Sequence, residues 1–186
     1  MYQGILKKIN QPIILIGYMG SGKTSIGKKI SKILKIKFYD LDKLIENKFN
    51  KTINEIFREQ GEIKFRKKER VLLENILNKK KIFVLSLGGG TPCYFDNIDL
   101  IVKKTDLSIF LQPDIKQLSK KLFKRKAERP IIKDLRSEKK MIEFVSKHMM
   151  ERIHYYNKAK YHIIYDLNDK MYACNKIIDL LNKNCS

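Results

Sequence analysis

The stretch Ile14–Ile30, "ILIGYMGSGKTSIGKKI", constrains this chain more than any other. A short apolar run ends in Gly17, and Gly20 and Gly22 follow before a Lys-Thr pair and a basic amphipathic segment. The spacing from Gly17 to Thr24 satisfies G-x-x-x-x-G-K-[ST], with a predicted strand before it and a predicted helix after it. A loop that wraps a polyphosphate must turn successive N–H groups inward, and a Cβ would obstruct that approach. The helix that begins near Lys23 adds its positive N-terminal end toward the same anion. Lys23 is placed to reach the β- and γ-phosphates, and the Thr24 hydroxyl to ligate Mg²⁺. The motif calls for a nucleotide and leaves the acceptor open.

The rest of the chain repeats the same alternation of strand and helix. Apolar runs at 13–17, 37–42, 82–88, 107–112 and 161–166 read as buried strands. Between them, 23–34 carries Ile26, Ile30, Ile33 and Leu34 on one face. Residues 62–78 turn Phe65, Val71, Leu72, Ile76 and Leu77 inward. Residues 114–126 carry Ile115, Leu118, Leu122 and Phe123. Residues 170–183 carry Met171, Ala173, Cys174, Ile177, Ile178 and Leu181. The pattern predicts one three-layer α/β domain over residues 1–186, with a parallel sheet. Two segments break the alternation. Residues 40–60 read as short helical pieces, and 124–137, "KRKAERPIIKDLRS", is charged and aperiodic, as a mobile lid would be.

Composition narrows the class of protein. An apolar fraction of 43% suits a packed domain. No run approaches the ~20 residues of a bilayer span, and "MYQGILKKINQP" lacks the apolar segment of a secretory signal. Three scattered cysteines suggest free thiols and a cytoplasmic location. A net charge of +20 favours anionic partners, yet most of it is lysine dispersed among Ile and Asn. A solvated surface explains that charge without nucleic acid. The histidines, His148, His154 and His162, have no metal-binding spacing.

Polar residues gather where the predicted strands end, the position at which open parallel sheets bind ligands. "YDLD" is expected to set Asp40 and Asp42 on one side of an extended segment. One carboxylate would serve the Mg²⁺ shell, and the other would face a hydroxyl. The strand at 82–88 has no terminal acid, so Asp40 is the natural supplier of the metal's carboxylate. Arg66 and Glu69 lie three apart on one helical face beside Phe65. Gly88, Gly89 and Gly90 open the backbone to a small ligand. In a lysine-rich chain, Arg66, Arg129 and Arg152 stand out as two-point anion contacts.

Taken in order, "GYMGSGKTSIG", "FYDLD", "IFREQGEIKFRKKE", "LGGG", "ERPII" and "ERIHYYNKA" resemble the shikimate kinase family from about Ile13 to the C-terminus. The resemblance implies a nucleoside-monophosphate-kinase-like P-loop fold with five parallel strands in the order 2-3-1-4-5. It adds a substrate-binding subdomain near 40–70 and a lid near 124–137. It also implies phosphorylation of the 3-hydroxyl of shikimate by ATP with Mg²⁺, a step toward chorismate and the aromatic amino acids.

By motif, Gly20, Ser21, Gly22, Lys23, Thr24 and Ser25 would hold the ATP phosphates, with Thr24 on the metal and Asp40 in its outer shell. Asp42 would bind the acceptor and serve as base. Arg66 and Arg152 would clamp the shikimate carboxylate, Glu69 would orient Arg66, and Gly88–Gly90 would close over the ring. Phe57 and Phe65 would line the pocket, Arg129 would meet the transferring phosphate, and Arg125 would touch the nucleotide. The protein is expected to be a monomer with no membrane or nucleic-acid partner. Two alternatives compete: a gluconate kinase of the same fold, and a basic nucleic-acid-binding module that uses its P-loop as a switch.

Overall fold

A computed structural model describes residues 9–79, 81–128 and 130–183. In chain order the elements are β1 (Ile13–Ile16), α1 (Lys23–Leu34), β2 (Lys37–Asp40), α2 (Leu41–Phe49), α3 (Ile53–Leu77), β3 (Phe83–Ser86), α4 (Asn97–Lys104), β4 (Ser108–Pro113), α5 (Ile115–Lys124), α6 (Glu138–Met150), α7 (Ile153–Tyr156), β5 (Tyr161–Tyr165) and α8 (Lys170–Lys183). Short 3₁₀ turns lie at Thr91–Cys93, Lys126–Glu128 and Pro130–Ile132.

The five strands form one sheet in the order β2-β3-β1-β4-β5, and every pairing is parallel. This is the order implied by the resemblance. β1 lies at the centre, with Ile14 opposite both Leu85 of β3 and Ser108 of β4, and all four of its residues are fully buried. A strand covered on both faces needs no polar alternation, which is why 13–17 reads as an unbroken apolar run. Edge strand β5 alternates instead, with Ile163 and Tyr165 buried and Ile164 exposed.

Helix α1 packs on α8 and against β1, β2 and β3. Its Ile26, Ile30 and Leu34 repeat at four-residue intervals and are buried. Gly27 lets this helix approach the sheet, since a Cβ there would lie 2.5 Å from the Phe38 ring.

Three expectations need correction. The second strand ends at Asp40, and Leu41 opens α2, so Asp40 and Asp42 do not share the side of a strand. Asp40 is the N-cap, with Oδ1 accepting from Lys43 N at 3.4 Å, and Asp42 lies in the first helical turn. A short helix runs from Ile53 to the kink at Gly61, inside the stretch read as short helical pieces, and the expected helix at 62–78 follows it. Thr52 and Glu55 form a reciprocal capping box, a Thr-x-x-Glu signal present in the sequence. Val71 is 50% exposed and Leu72 only partly buried, because the inward stripe of α3 runs through Phe65, Glu69, Leu73 and Ile76. Met171 is likewise exposed at 45%.

Gly61 divides α3. Its φ of 75° and ψ of 167° are not helical, so the 25-residue element is two helices meeting at a kink. α2 packs on α3 beside the carboxyl ends of β2 and β3, and this pair carries much of the site described next.

Candidate active site

The loop between β1 and α1 forms one wall. Gly22 caps α1 with a φ of 89°, and no side chain caps that helix end. The first N–H groups of α1 are therefore left for a ligand. Lys23 is nearly buried, and its Nζ donates to Gly17 O and Tyr18 O at 2.8 Å each. The ammonium thus sits folded over its own loop. The loop is braced from outside: Lys121 Nζ donates to Gly20 O at 2.8 Å, Tyr165 OH donates to Ser21 O, and Ser25 Oγ donates to Gly22 O at 2.9 Å. Thr24 Oγ1 donates to Asp40 Oδ2 at 2.7 Å, so a hydroxyl and a carboxylate converge at the loop's mouth. An all-oxygen pair of this kind suits a hard cation such as Mg²⁺. Among the described residues no cluster of three or more His, Cys, Asp or Glu could hold a metal ion.

The facing wall comes from α2, α3 and the turn after β3. Arg66 is 8% exposed. Its Nη1 donates to Glu69 Oε2 at 2.8 Å, and its Nη2 and Nε donate to Glu62 Oε1 at 3.1 and 3.3 Å. Burial works against its charge, but Glu69 and Glu62 outweigh burial and hold its pKa above the ordinary arginine value. The guanidinium lies 4.1 Å over the Tyr94 ring and 5.0 Å over Phe65. Phe57 and Phe65 stack with centroids 4.4 Å apart, Phe65 buried and Phe57 half-buried. Glu69 is fully buried and also accepts from Thr91 Oγ1 at 2.7 Å.

Each member of the triple glycine has a steric reason. A Cβ on Gly88 would lie 2.6 Å from Asp42 Oδ1, and one on Gly90 would lie 2.5 Å from Arg66 Nη2. One on Gly89 would meet the phosphate loop itself, 3.0 Å from Met19 N. Gly88–Gly90 is therefore the seam where Asp42, Arg66 and the phosphate loop come together. Tyr156 OH fixes it by donating to Gly89 O at 2.5 Å.

Asp42 faces this seam. Burial raises its carboxyl from 3.8 to about 6, and the neighbouring charges of Asp40 and Glu69 add to the rise against Lys23 and Arg66. Arg152, partly buried at the start of α7, brings its guanidinium to 5.8 Å from the centre of the Tyr18 ring. Asp42, Arg66, Glu69 and Gly88–Gly90 thus meet beside the phosphate loop, with Thr24 and Asp40 at that loop's mouth and Phe65 against the Arg66 guanidinium. Arg125 is an exposed C-cap residue at the end of α5. Arg129 lies outside the described residues.

Sequence reasoning overlooked Glu62, Thr91, Tyr94, His148 and Tyr156. Glu62 was legible as the i,i+4 partner of Arg66. The others reach the site through tertiary packing alone.

The comparisons with known proteins point the same way. The family model described as "Shikimate kinase" matches residues 19–182. The shikimate kinase of Flavobacterium psychrophilum is 47% identical over 154 residues, covering 83% of this chain and 89% of that one. The chain belongs to the shikimate kinase family. Among solved structures, the shikimate kinase of Bacteroides thetaiotaomicron superimposes with a TM-score of 0.78 at 30% identity, covering 93% of this chain and 96% of that one. A complex of the Acinetobacter baumannii shikimate kinase with shikimate gives a TM-score of 0.84 at 26% identity, covering 97% and 98%. Membership of the shikimate kinase family favours neither the gluconate kinase nor the nucleic-acid module. Among the described residues no helix is long and apolar enough to cross a membrane.

Proposed function

We propose that this site transfers the terminal phosphoryl group of ATP to the 3-hydroxyl of shikimate, giving shikimate 3-phosphate and ADP. The observation that carries the reading is the seam at Gly88–Gly90. There a raised-pKa aspartate and a carboxylate-oriented arginine meet the phosphate loop within one side chain's reach.

The nucleotide phosphates lie against the amides of Gly20 to Ser25 and the open end of α1. Lys23 leaves the carbonyls of Gly17 and Tyr18 for the phosphate oxygens. Thr24 and Asp40 would hold Mg²⁺, which would supply positive charge to neutralise the phosphate oxygens. Shikimate's carboxylate takes the Arg66 fork and Arg152, while Glu69 fixes the plane of the Arg66 guanidinium. Phe57 and Phe65 cover the ring's apolar side. Asp42 accepts the hydrogen bond of the attacking hydroxyl. With a pKa near 6 it is mostly ionised at neutral pH yet basic enough to take the proton as the O–P bond forms. Alignment of that hydroxyl and charge stabilisation supply most of the catalysis.

The stretch 124–137 acts as the lid that excludes water, with Arg129 meeting the transferred group and Arg125 the nucleotide. Residues 40–70 act as the substrate-binding subdomain of a single domain. Cys93 and Cys174 are free thiols, which supports a reducing cytoplasm.

The test is ADP release with shikimate, gluconate and nucleoside monophosphates as acceptors. Turnover with shikimate alone is expected. Preference for either other class overturns the reading.

A further inference from the structure

One contact of the phosphate loop lies outside this scheme. Tyr18, the residue after Gly17, is fully buried, and its hydroxyl lies 2.7 Å from His148 Nδ1. The two rings meet edge to face at 5.5 Å, and Phe144 packs on the other side of His148 at 5.3 Å. Burial first, and then the Arg152 charge, lower the His148 pKa, which favours the neutral imidazole, whose Nδ1 can accept the phenol's hydrogen bond. His148 lies in the last turn of α6, one helical turn before Arg152. The chain between them is fixed by Glu151 N donating to Lys147 O and Arg152 N donating to Met149 O. The Arg152 guanidinium in turn lies over the Tyr18 ring.

Tyr18 therefore touches both halves of the site. Its carbonyl accepts from Lys23, its ring underlies Arg152, and its hydroxyl holds the helix end that delivers Arg152. A phenylalanine would fill the same volume, so the hydroxyl is there for its bond. We infer that Tyr18 and His148 are positioning residues: their hydrogen bond sets the reach of Arg152 toward the acceptor's carboxylate and ties that reach to the phosphate loop. The inference rests on Arg152 holding that carboxylate.

The experiment is a steady-state double-mutant cycle in the full chain. Tyr18→Phe and His148→Leu are each expected to raise the KM for shikimate about 10-fold, in the range that small misplacements of a binding group produce, while the KM for ATP stays within about twofold. The double variant should be no worse than either single one, because both remove one bond. His148→Asn, whose amide can stand where Nδ1 stood, should recover most of the loss. Adding Tyr18→Phe to Arg152→Ala should change nothing further. A normal shikimate KM in Tyr18→Phe beside a raised one in Arg152→Ala overturns the inference alone. So do multiplying effects in the double variant, or an equal rise in the KM for ATP. A normal shikimate KM in Arg152→Ala overturns the carboxylate assignment, and this inference with it.

Discussion

Replacing Asp42 by asparagine should make the protein more stable and nearly inactive. The carboxyl is partly buried, close to the charges of Asp40 and Glu69, and among the described residues no donor hydrogen-bonds it. Its pKa of about 6 against 3.8 for an ordinary aspartate means that the ionised form is disfavoured in the fold by about 3 kcal/mol. The sign follows from proton binding. Between about pH 4 and pH 6 the folded protein keeps this proton while the unfolded chain has released it, so Asp42 removes stability progressively as pH rises. Above about pH 6 the whole penalty stands. An amide carries no such charge, and after allowance for lost polar contacts Asp42→Asn should gain about 1–3 kcal/mol at pH 7.5. At the ~2–4 °C per kcal/mol of a domain this size, Tm should rise by several degrees.

Thermal unfolding of the ligand-free protein and of Asp42→Asn at pH 4 and pH 7.5 measures this directly. The gain should be present at pH 7.5 and mostly gone at pH 4, where the folded carboxyl is uncharged and the unfolded one is close to half protonated. In the same variant kcat should fall by about 10²-fold or more, since the proposed base is gone. In the parent, kcat/KM for shikimate should rise with pH through an apparent pKa near 6. A variant no more stable than the parent at pH 7.5, or a gain independent of pH, refutes the idea that the fold holds a strained carboxylate here.

Other perturbations test neighbouring parts of the argument. Gly90→Ala places a Cβ 2.5 Å from Arg66 Nη2, the movable end of a side chain, so the KM for shikimate should rise about 10-fold with Tm little changed. Gly61→Ala meets no atom within 4 Å, so its cost is purely that of a φ of 75° with ψ of 167°. Calorimetry should show a loss of about 1–3 kcal/mol. Ser119 carries the one buried side-chain polar atom without a partner among the described residues, and Ser119→Ala should stabilise by about 1 kcal/mol in urea titration.

The parts of this site legible in the sequence are those in which local chemistry and local geometry coincide. The phosphate loop is of that kind, because glycine spacing, Lys23 and Thr24 all serve one turn of backbone. The first and last long helices, 23–34 and 170–183, were legible because their buried faces follow a helical period over three turns or more. Asp40 and Asp42 show the limit. An alternating "YDLD" fits a strand, but Asp40 also fits an N-cap, and the tertiary position of α2 decides between them. Nothing local could link Tyr18 to His148, 130 residues away, or Tyr156 to Gly89, 67 away. Those bonds exist only because parallel strands bring distant loops to one edge of the sheet.

Charge composition misleads in the same chain where charge chemistry informs. Forty basic residues against twenty acidic ones would fit many polyanion binders. The distinction that matters is between lysine and arginine. Lys43 and Lys158 make single exposed contacts, to Glu46 at 2.6 Å and Asp99 at 2.7 Å, which any cation on a long stem could supply. Arg66 instead engages Glu62 and Glu69 with three of its nitrogens while its face lies on Tyr94. Arg70, one turn on, joins Glu74 at 2.7 Å to Asn97 at 2.9 Å and so staples α3 to α4. An ammonium has neither the planar fork nor the flat face that these positions use. Arginine in a lysine-rich background therefore marks where geometry rather than charge is required. Arg66 turns its fork to two glutamates beside the Gly88–Gly90 seam, where we propose the substrate binds, and Arg70 turns its own to the join between two helices.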